Sequence, residues 1–152
     1  MASHPMSALC LVSEAAETLN LSTQAVNWFL SRGYLRGAGR RVARQSIVDF
    51  TSLWHREWPD NTTPNGYIYL MRYSYLYKIG LSKDVHQRQK NMTASLPGRV
   101  QVHLIHTIPT NNMRAAETKL HTFFAKRRAE GEWFNLGPKE IDLICQCRAL
   151  IV

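Results

Sequence analysis

The sequence predicts an α+β protein in two parts: a small helical block with a basic hairpin, then an α/β domain with a three-stranded antiparallel sheet flanked by helices. Three observations carry that expectation. Residues Gly66 to Gly80, GYIYLMRYSYLYKIG, are rich in the aromatic and aliphatic side chains that suit a pleated, half-buried surface. The N-terminal third holds two short helix-like stretches followed by an arginine-rich segment. Beyond Asn112, apolar residues recur at helical spacing.

At 152 residues the chain has room for one ordinary domain or two small ones. It has no apolar run of about 18 residues, and so no expected membrane-spanning helix or membrane partner. The first residues lack the basic start and long apolar segment of a secretory leader. Three cysteines, Cys10, Cys145 and Cys147, form no zinc-like double pair and read as reduced thiols. The expected location is the cytoplasm. The formal net charge is +8. Up to Asp60 there are six Lys/Arg against five Asp/Glu, and from Asn61 onward thirteen against six. Five of those first six nevertheless crowd into Arg32–Arg44. Such an excess favours a polyanionic partner, nucleic acid first, because Lys and Arg displace counterions from phosphates.

In the first part, Ser13 is the expected N-cap of a helix running to about Leu19, with Glu14 and Glu17 in its first turn and Asn20 ending it. Ser22 caps a second helix to about Ser31, with Ala25, Val26, Phe29 and Leu30 on its apolar side and Gly33 closing it. Tyr34–Arg36, a turn at Gly37–Gly39 and Arg40–Arg44 suggest a small basic hairpin. A last helix, about Ser46 to Glu57, carries Ile47, Phe50, Leu53 and Trp54 at helical spacing. This block, about Leu11 to Trp54, resembles the winged helix-turn-helix of the excisionase and MerR-like families. The resemblance implies a second helix in the DNA major groove, presenting Thr23, Gln24, Asn27 and Ser31. Arg32, Arg36, Arg40, Arg41 and Arg44 would grip phosphate or minor groove. The rival reading is a helical interaction domain with solvated arginines. The block is assigned to residues 1–58 and a polar, proline-punctuated linker to 59–65.

In the second part, residues 66–152, strands are expected at Tyr67–Met71 and Tyr75–Ile79, with a turn at Arg72–Ser74. Alternation puts Tyr67, Tyr69 and Met71 on one face and Ile68 and Leu70 on the other. Ser82 is the expected cap of a helix over Lys83–Met92, whose Val85, Arg88 and Met92 share a face. An arginine between two inward apolar residues needs a partner or a task. Val100–Ile108 reads as a third strand ended by Pro109. His103 and His106 lie on opposite faces of it and make no ligand pair. A helix over Asn112–Arg128 follows, with Met113, Ala116, Leu120, Phe123 and Phe124 inward and Glu117 and His121 one turn apart at its edge. The segment Gly131–Leu136, GEWFNL, and a final helix from about Pro138 with Ile141, Ile144 and Cys145 inward complete the chain.

Tyr67-Ile68-Tyr69, Tyr77-Lys78-Ile79-Gly80, Arg88, Glu117-xxx-His121 and Gly131-Glu132-Trp133-Phe134 together resemble a GIY-YIG nuclease domain. The similar branch is the one typified by a phage T5 open reading frame and found also in fungal meiotic proteins. The resemblance covers nearly all of residues 66–136. It implies a phosphodiester-cutting domain with one divalent metal, Mg²⁺ or Mn²⁺. Tyr69 would be the base or water-orienting group, Arg88 would stabilise the phosphate in the transition state, and Glu117 would be the sole protein metal ligand. Lys78 and Lys83 are candidate sources of positive field, and His121 would shuttle a proton or bond to substrate. The second motif's tyrosine ordinarily stands directly before Ile-Gly; here Lys78 holds that slot and Tyr77 sits one earlier. Asn135 lies near the place of a late family asparagine.

The expected function is therefore a DNA endonuclease of phage or mobile-element type, acting on duplex DNA and brought to it by the N-terminal block. A single such site cuts one strand, so a double-strand break needs a homodimer or a second event. The alternative is a non-catalytic DNA-binding regulator that keeps the nuclease fold. Single-stranded DNA or RNA remains open as substrate.

Overall fold

The computed structural model describes residues 8–54 and 63–152, which form two compact units divided between Leu53 and Trp54. Most of the expected linker, and the expected helical residues 55–57, lie outside the described residues.

The first unit runs β1 (Leu9–Leu11), α1 (Val12–Leu19), α2 (Thr23–Ser31), β2 (Gly37–Ala38), β3 (Arg41–Ala43) and α3 (Arg44–Leu53). Its core is Val26, Phe29, Leu35, Val42, Ile47 and Phe50. Ser22 caps α2 as expected, its hydroxyl accepting from the Ala25 N–H at 3.0 Å. Asn20 ends α1 in the left-handed region, φ 51°. Ser13 is not a cap, because α1 starts one residue earlier and the Glu14 carboxylate accepts from the Leu11 N–H at 3.2 Å. Gly37 and Ala38 lie in strand β2, and the hairpin turns at Gly39-Arg40, with Gly39 at φ 60°. Sequence reasoning missed β1, which pairs with β3 so that Cys10 stands opposite Val42; three residues are too few for alternation to register. Helix α3 ends at Leu53, so Trp54 leaves its apolar stripe; it belongs to the second unit, where it packs edge-on against the partly buried Phe123.

The second unit is a five-stranded antiparallel sheet, not three-stranded, in the order β6-β4-β5-β8-β7. Its strands are β4 (Gly66–Tyr73), β5 (Leu76–Ser82), β6 (His103–Thr110), β7 (Arg128–Glu130) and β8 (Trp133–Phe134). The added pair is a small hairpin turning at Gly131, φ 56°, and joining β5 at Tyr77 and Lys78. Strands of two and three residues are below the length that periodicity detects. The β4–β5 hairpin turns later than expected, at Ser74-Tyr75, leaving Tyr75 the most exposed large hydrophobic side chain among the described residues. Pro109 lies within β6 rather than ending it; β6 is an edge strand, where a missing N–H costs no ladder bond.

Helix α4 (Val85–Ser95) is capped by Asp84, whose carboxylate accepts from the Gln87 N–H at 3.0 Å. Ser82, the expected cap, instead accepts from the Asp84 N–H. Tyr69, Met71, Val85, Met92 and Val102 form a buried cluster between α4 and one sheet face. Helix α5 (Met113–Phe123) covers the other face, where Gly66 leaves room for Met113 and Phe134 meets His121. It stops five residues before the expected Arg128. A 3₁₀ turn at Ala125–Arg127 diverts the chain into β7, and the Arg127 carbonyl accepts from the Asn135 N–H. Helix α6 (Pro138–Gln146) buries Leu143 and Ile144, while Cys145 is exposed, contrary to expectation. Glu140 is buried beside Arg127 at 3.5 Å and accepts from the Gly137 N–H. All three cysteines are free thiols.

Candidate active site

Tyr69 and Gly80 are cross-strand partners in the β4–β5 ladder. The tyrosine ring lies across the glycine, and a Cβ at position 80 would collide with its hydroxyl and Cζ. Gly80 thus lets a 2 % exposed tyrosine lie flat and carry its hydroxyl outward to α4. There the Arg88 Nε–H donates to that hydroxyl at 3.4 Å, a long contact. This bond, with the nearby phenol and Glu132, raises the Arg88 pKa further, so the guanidinium is a fixed cation. Val85 and Met92 are buried as expected, but Arg88 between them is exposed and reaches the Tyr69 hydroxyl from the rim of that face, so it carries no burial cost.

Lys78 stands two residues before Gly80 and opposite Met71, hence on the same sheet face as Tyr69. Its Nζ pairs with Glu132 at 3.0 Å and lies 5.8 Å from the Trp133 ring centre. Glu132 sits at the open edge of β5, its carbonyl accepting from the Ile79 N–H at 3.3 Å. Its charge is felt by both Arg88 and Glu117. Sequence reasoning quoted Glu132 only as part of a motif and gave it no place in the site. An acidic residue just after a left-handed glycine, in a segment of short strands, offered no periodic signal.

Glu117 comes from α5, on the opposite side of the sheet, and reaches the same edge. Burial pushes its carboxyl above the ordinary range; Glu132 adds to this, while His121, Lys78 and Arg114 pull it back. Among the described residues its carboxylate makes no hydrogen bond or ion pair. A half-buried carboxylate without a direct partner is a fitting ligand for a hard cation. The described residues contain no group of three or more His, Cys, Asp or Glu placed to hold a metal. An ion here would therefore rest on Glu117 and keep most of its waters, as Mg²⁺ commonly does. His121, one turn on, points its Nε2 at the Ile79 carbonyl at 2.8 Å and so ties α5 to β5.

The remaining expected residues are scattered. Tyr77 pairs with Phe134 and Arg72, and β5 carries no bulge, so its side chain faces away from Tyr69. Lys83 is exposed. Asn135 is exposed, and its N–H serves the β-hairpin. In the first unit Thr23, Gln24, Asn27 and Ser31 line the exposed side of α2. Arg32 lies over the Trp28 ring at 4.9 Å. Arg36 pairs with Asp49 at 2.9 Å and Arg44 with Glu14 at 3.6 Å. Arg40 and Arg41 are exposed at the hairpin tip, without an ion pair among the described residues.

A mixed α/β unit of helices on an antiparallel sheet is consistent with a GIY-YIG-like class, a group associated with endonucleases, and the family match places the chain there. The model of the T5orf172 domain matches residues 66–148, more than half of the sequence, and the chain belongs to that family. The first unit lies outside the matched segment. No curated protein and no solved structure matches the chain.

Proposed function

We propose that the chain is a DNA endonuclease that hydrolyses phosphodiester bonds with one divalent metal, Mg²⁺ or Mn²⁺, and that residues 1–58 act as a winged helix-turn-helix that brings it to duplex DNA. The observation that carries this reading is the Arg88 guanidinium on the Tyr69 hydroxyl over Gly80, with the Glu117 carboxylate, unpartnered among the described residues, within electrostatic reach of Lys78 and Glu132. Family membership supports it.

Hydrolysis of a phosphodiester needs an oriented water, neutralised phosphoryl oxygens and help for the leaving oxygen. The Tyr69 oxygen accepts a hydrogen bond from Arg88 and keeps both its own O–H and a second lone pair, enough to orient a water for attack. Arg88 is free on its terminal nitrogens to meet a non-bridging oxygen as charge develops. Lys78 adds positive field from the same face. The metal, held by Glu117, would supply Lewis-acid charge for the leaving oxygen. His121 holds α5, and so Glu117, against β5. In the first unit, Gln24 and Asn27 have the side-chain chemistry to read adenine, while Arg40 and Arg41 are free to meet phosphates. Tethering to bound DNA lets a weakly binding cutter suffice.

The second reading is a non-catalytic DNA-binding regulator. The observation on its side is the Lys78–Glu132 pair, which neutralises one of the site's cations. Labelled single- and double-stranded DNA, incubated with Mg²⁺, Mn²⁺ or EDTA, separates the two. The endonuclease cuts only with metal, and Tyr69→Phe slows it about 10²-fold or more without loss of binding. Binding with no cutting under any metal supports the regulator.

A further inference from the structure

The triplet Lys126-Arg127-Arg128 divides its labour. Arg127 turns inward to the buried Glu140. Arg128, at the start of β7, stands opposite Phe134 and lays its guanidinium over that ring, 5.4 Å from its centre. The same buried ring meets the His121 imidazole at 5.2 Å on the α5 side. Between them runs a groove of about 490 Å³ lined by Thr118, His121, Thr122, Ala125 and Arg128. It begins one residue beyond Glu117 on the same helix. None of the site residues discussed above, His121 excepted, lines it.

The donors in this groove are unspent. Arg128 makes no ion pair among the described residues, and stacking on Phe134 holds its planar fork in one orientation. The Thr122 hydroxyl donates to the Thr118 carbonyl, which leaves the Thr118 hydroxyl as the free O–H. A stacked arginine beside a helix-borne hydroxyl is a donor set for a phosphate oxygen.

We propose that this groove is a second phosphate site, taking a backbone phosphate that flanks the scissile one, with Arg128 and Thr118 as its donors. The assignment rests on the endonuclease reading for which phosphate is scissile; the phosphate-binding role of the groove does not need cleavage. Occupying the site fixes the strand's direction past Tyr69 and Glu117, so Arg128 acts on binding and register and not on the chemical step.

The test uses the full chain in EDTA, where nothing is cut. Affinity for a labelled oligonucleotide is measured across salt for wild type, Arg128→Gln and Thr118→Val, each checked by thermal melting. Arg128→Gln is expected to weaken binding about 5- to 10-fold and to reduce the salt slope by about 1. Thr118→Val should weaken binding with the slope unchanged. In Mg²⁺, a single methylphosphonate stepped along the cut strand should slow the wild type at one flanking position, and Arg128→Gln should be insensitive there. An unchanged salt slope in Arg128→Gln, or equal sensitivity of both proteins at every position, overturns the proposal. A wild type that binds with the full slope difference but never cuts removes the endonuclease reading and leaves the groove as a phosphate site.

Discussion

Tyr69 and Gly80 face one another across β4 and β5, and the ring of one occupies the volume that a side chain on the other would fill. The pair explains why a glycine follows Lys78-Ile79 in the strand: any Cβ there displaces the phenol from Arg88. Gly80→Ala is therefore expected to cost about 1–3 kcal/mol from overpacking. Cleavage should fall at least 10-fold even at temperatures where the variant remains folded. Denaturant unfolding and single-turnover cutting measure the two effects separately.

Arg88 is argued to act through the geometry of its planar fork. Arg88→Lys keeps the charge and loses the fixed reach from Tyr69 to a phosphoryl oxygen. A loss of about 10² in the rate of the chemical step is expected, with DNA affinity changed less than about threefold. Matched binding and single-turnover assays check this.

The raised Glu117 pKa gives a pH dependence with a definite sign. A carboxyl whose folded pKa lies above its unfolded value contributes most below the unfolded value, and that contribution is lost as pH rises through the folded one. In the absence of metal, Glu117→Gln should therefore melt above wild type at neutral pH, the difference shrinking as pH falls through the raised folded value and vanishing below the ordinary carboxylate value of 4.5. Added Mg²⁺ should raise the melting temperature of wild type and leave Glu117→Gln unchanged.

The Arg127–Glu140 pair is the buried charge pair of the second unit, with Glu140 1 % exposed. Arg127→Ala removes the guanidinium from that buried carboxylate and is expected to destabilise the fold by more than about 1 kcal/mol. Arg128→Ala, one residue on, should cost under about 1 kcal/mol. Urea midpoints of the two variants make the comparison.

Much of this architecture is legible in the sequence, and what is not has physical causes. The tyrosine-rich hairpin, the Val85–Arg88–Met92 face and the Ala116–Leu120–Phe124 stripe follow from period alone. Arg88 is exposed and not inward, so the cost of burying a charge says nothing about its partner; only the Tyr69–Gly80 register supplies that. The β7–β8 hairpin escapes because its strands are short, and with it escaped the place of Glu132 between Lys78 and Arg88. The helix expected to run to Arg128 fails because Arg127 has a buried partner on α6, a long-range contact that local propensity cannot see. Cys145 was placed inward in place of Leu143, a slip of the helical phase in a short helix.

The central claim is that Tyr69, Arg88 and Glu117 are one metal-assisted site for cutting DNA. Its most direct measurement is the single-turnover cleavage rate of a labelled duplex in Mg²⁺, for wild type and Glu117→Gln, at a salt concentration where both bind equally. The account predicts metal-dependent cutting by wild type and a loss of at least about 10³-fold in Glu117→Gln. Equal rates in the two proteins, or a wild type that binds the duplex and leaves it intact in both Mg²⁺ and Mn²⁺, would contradict it.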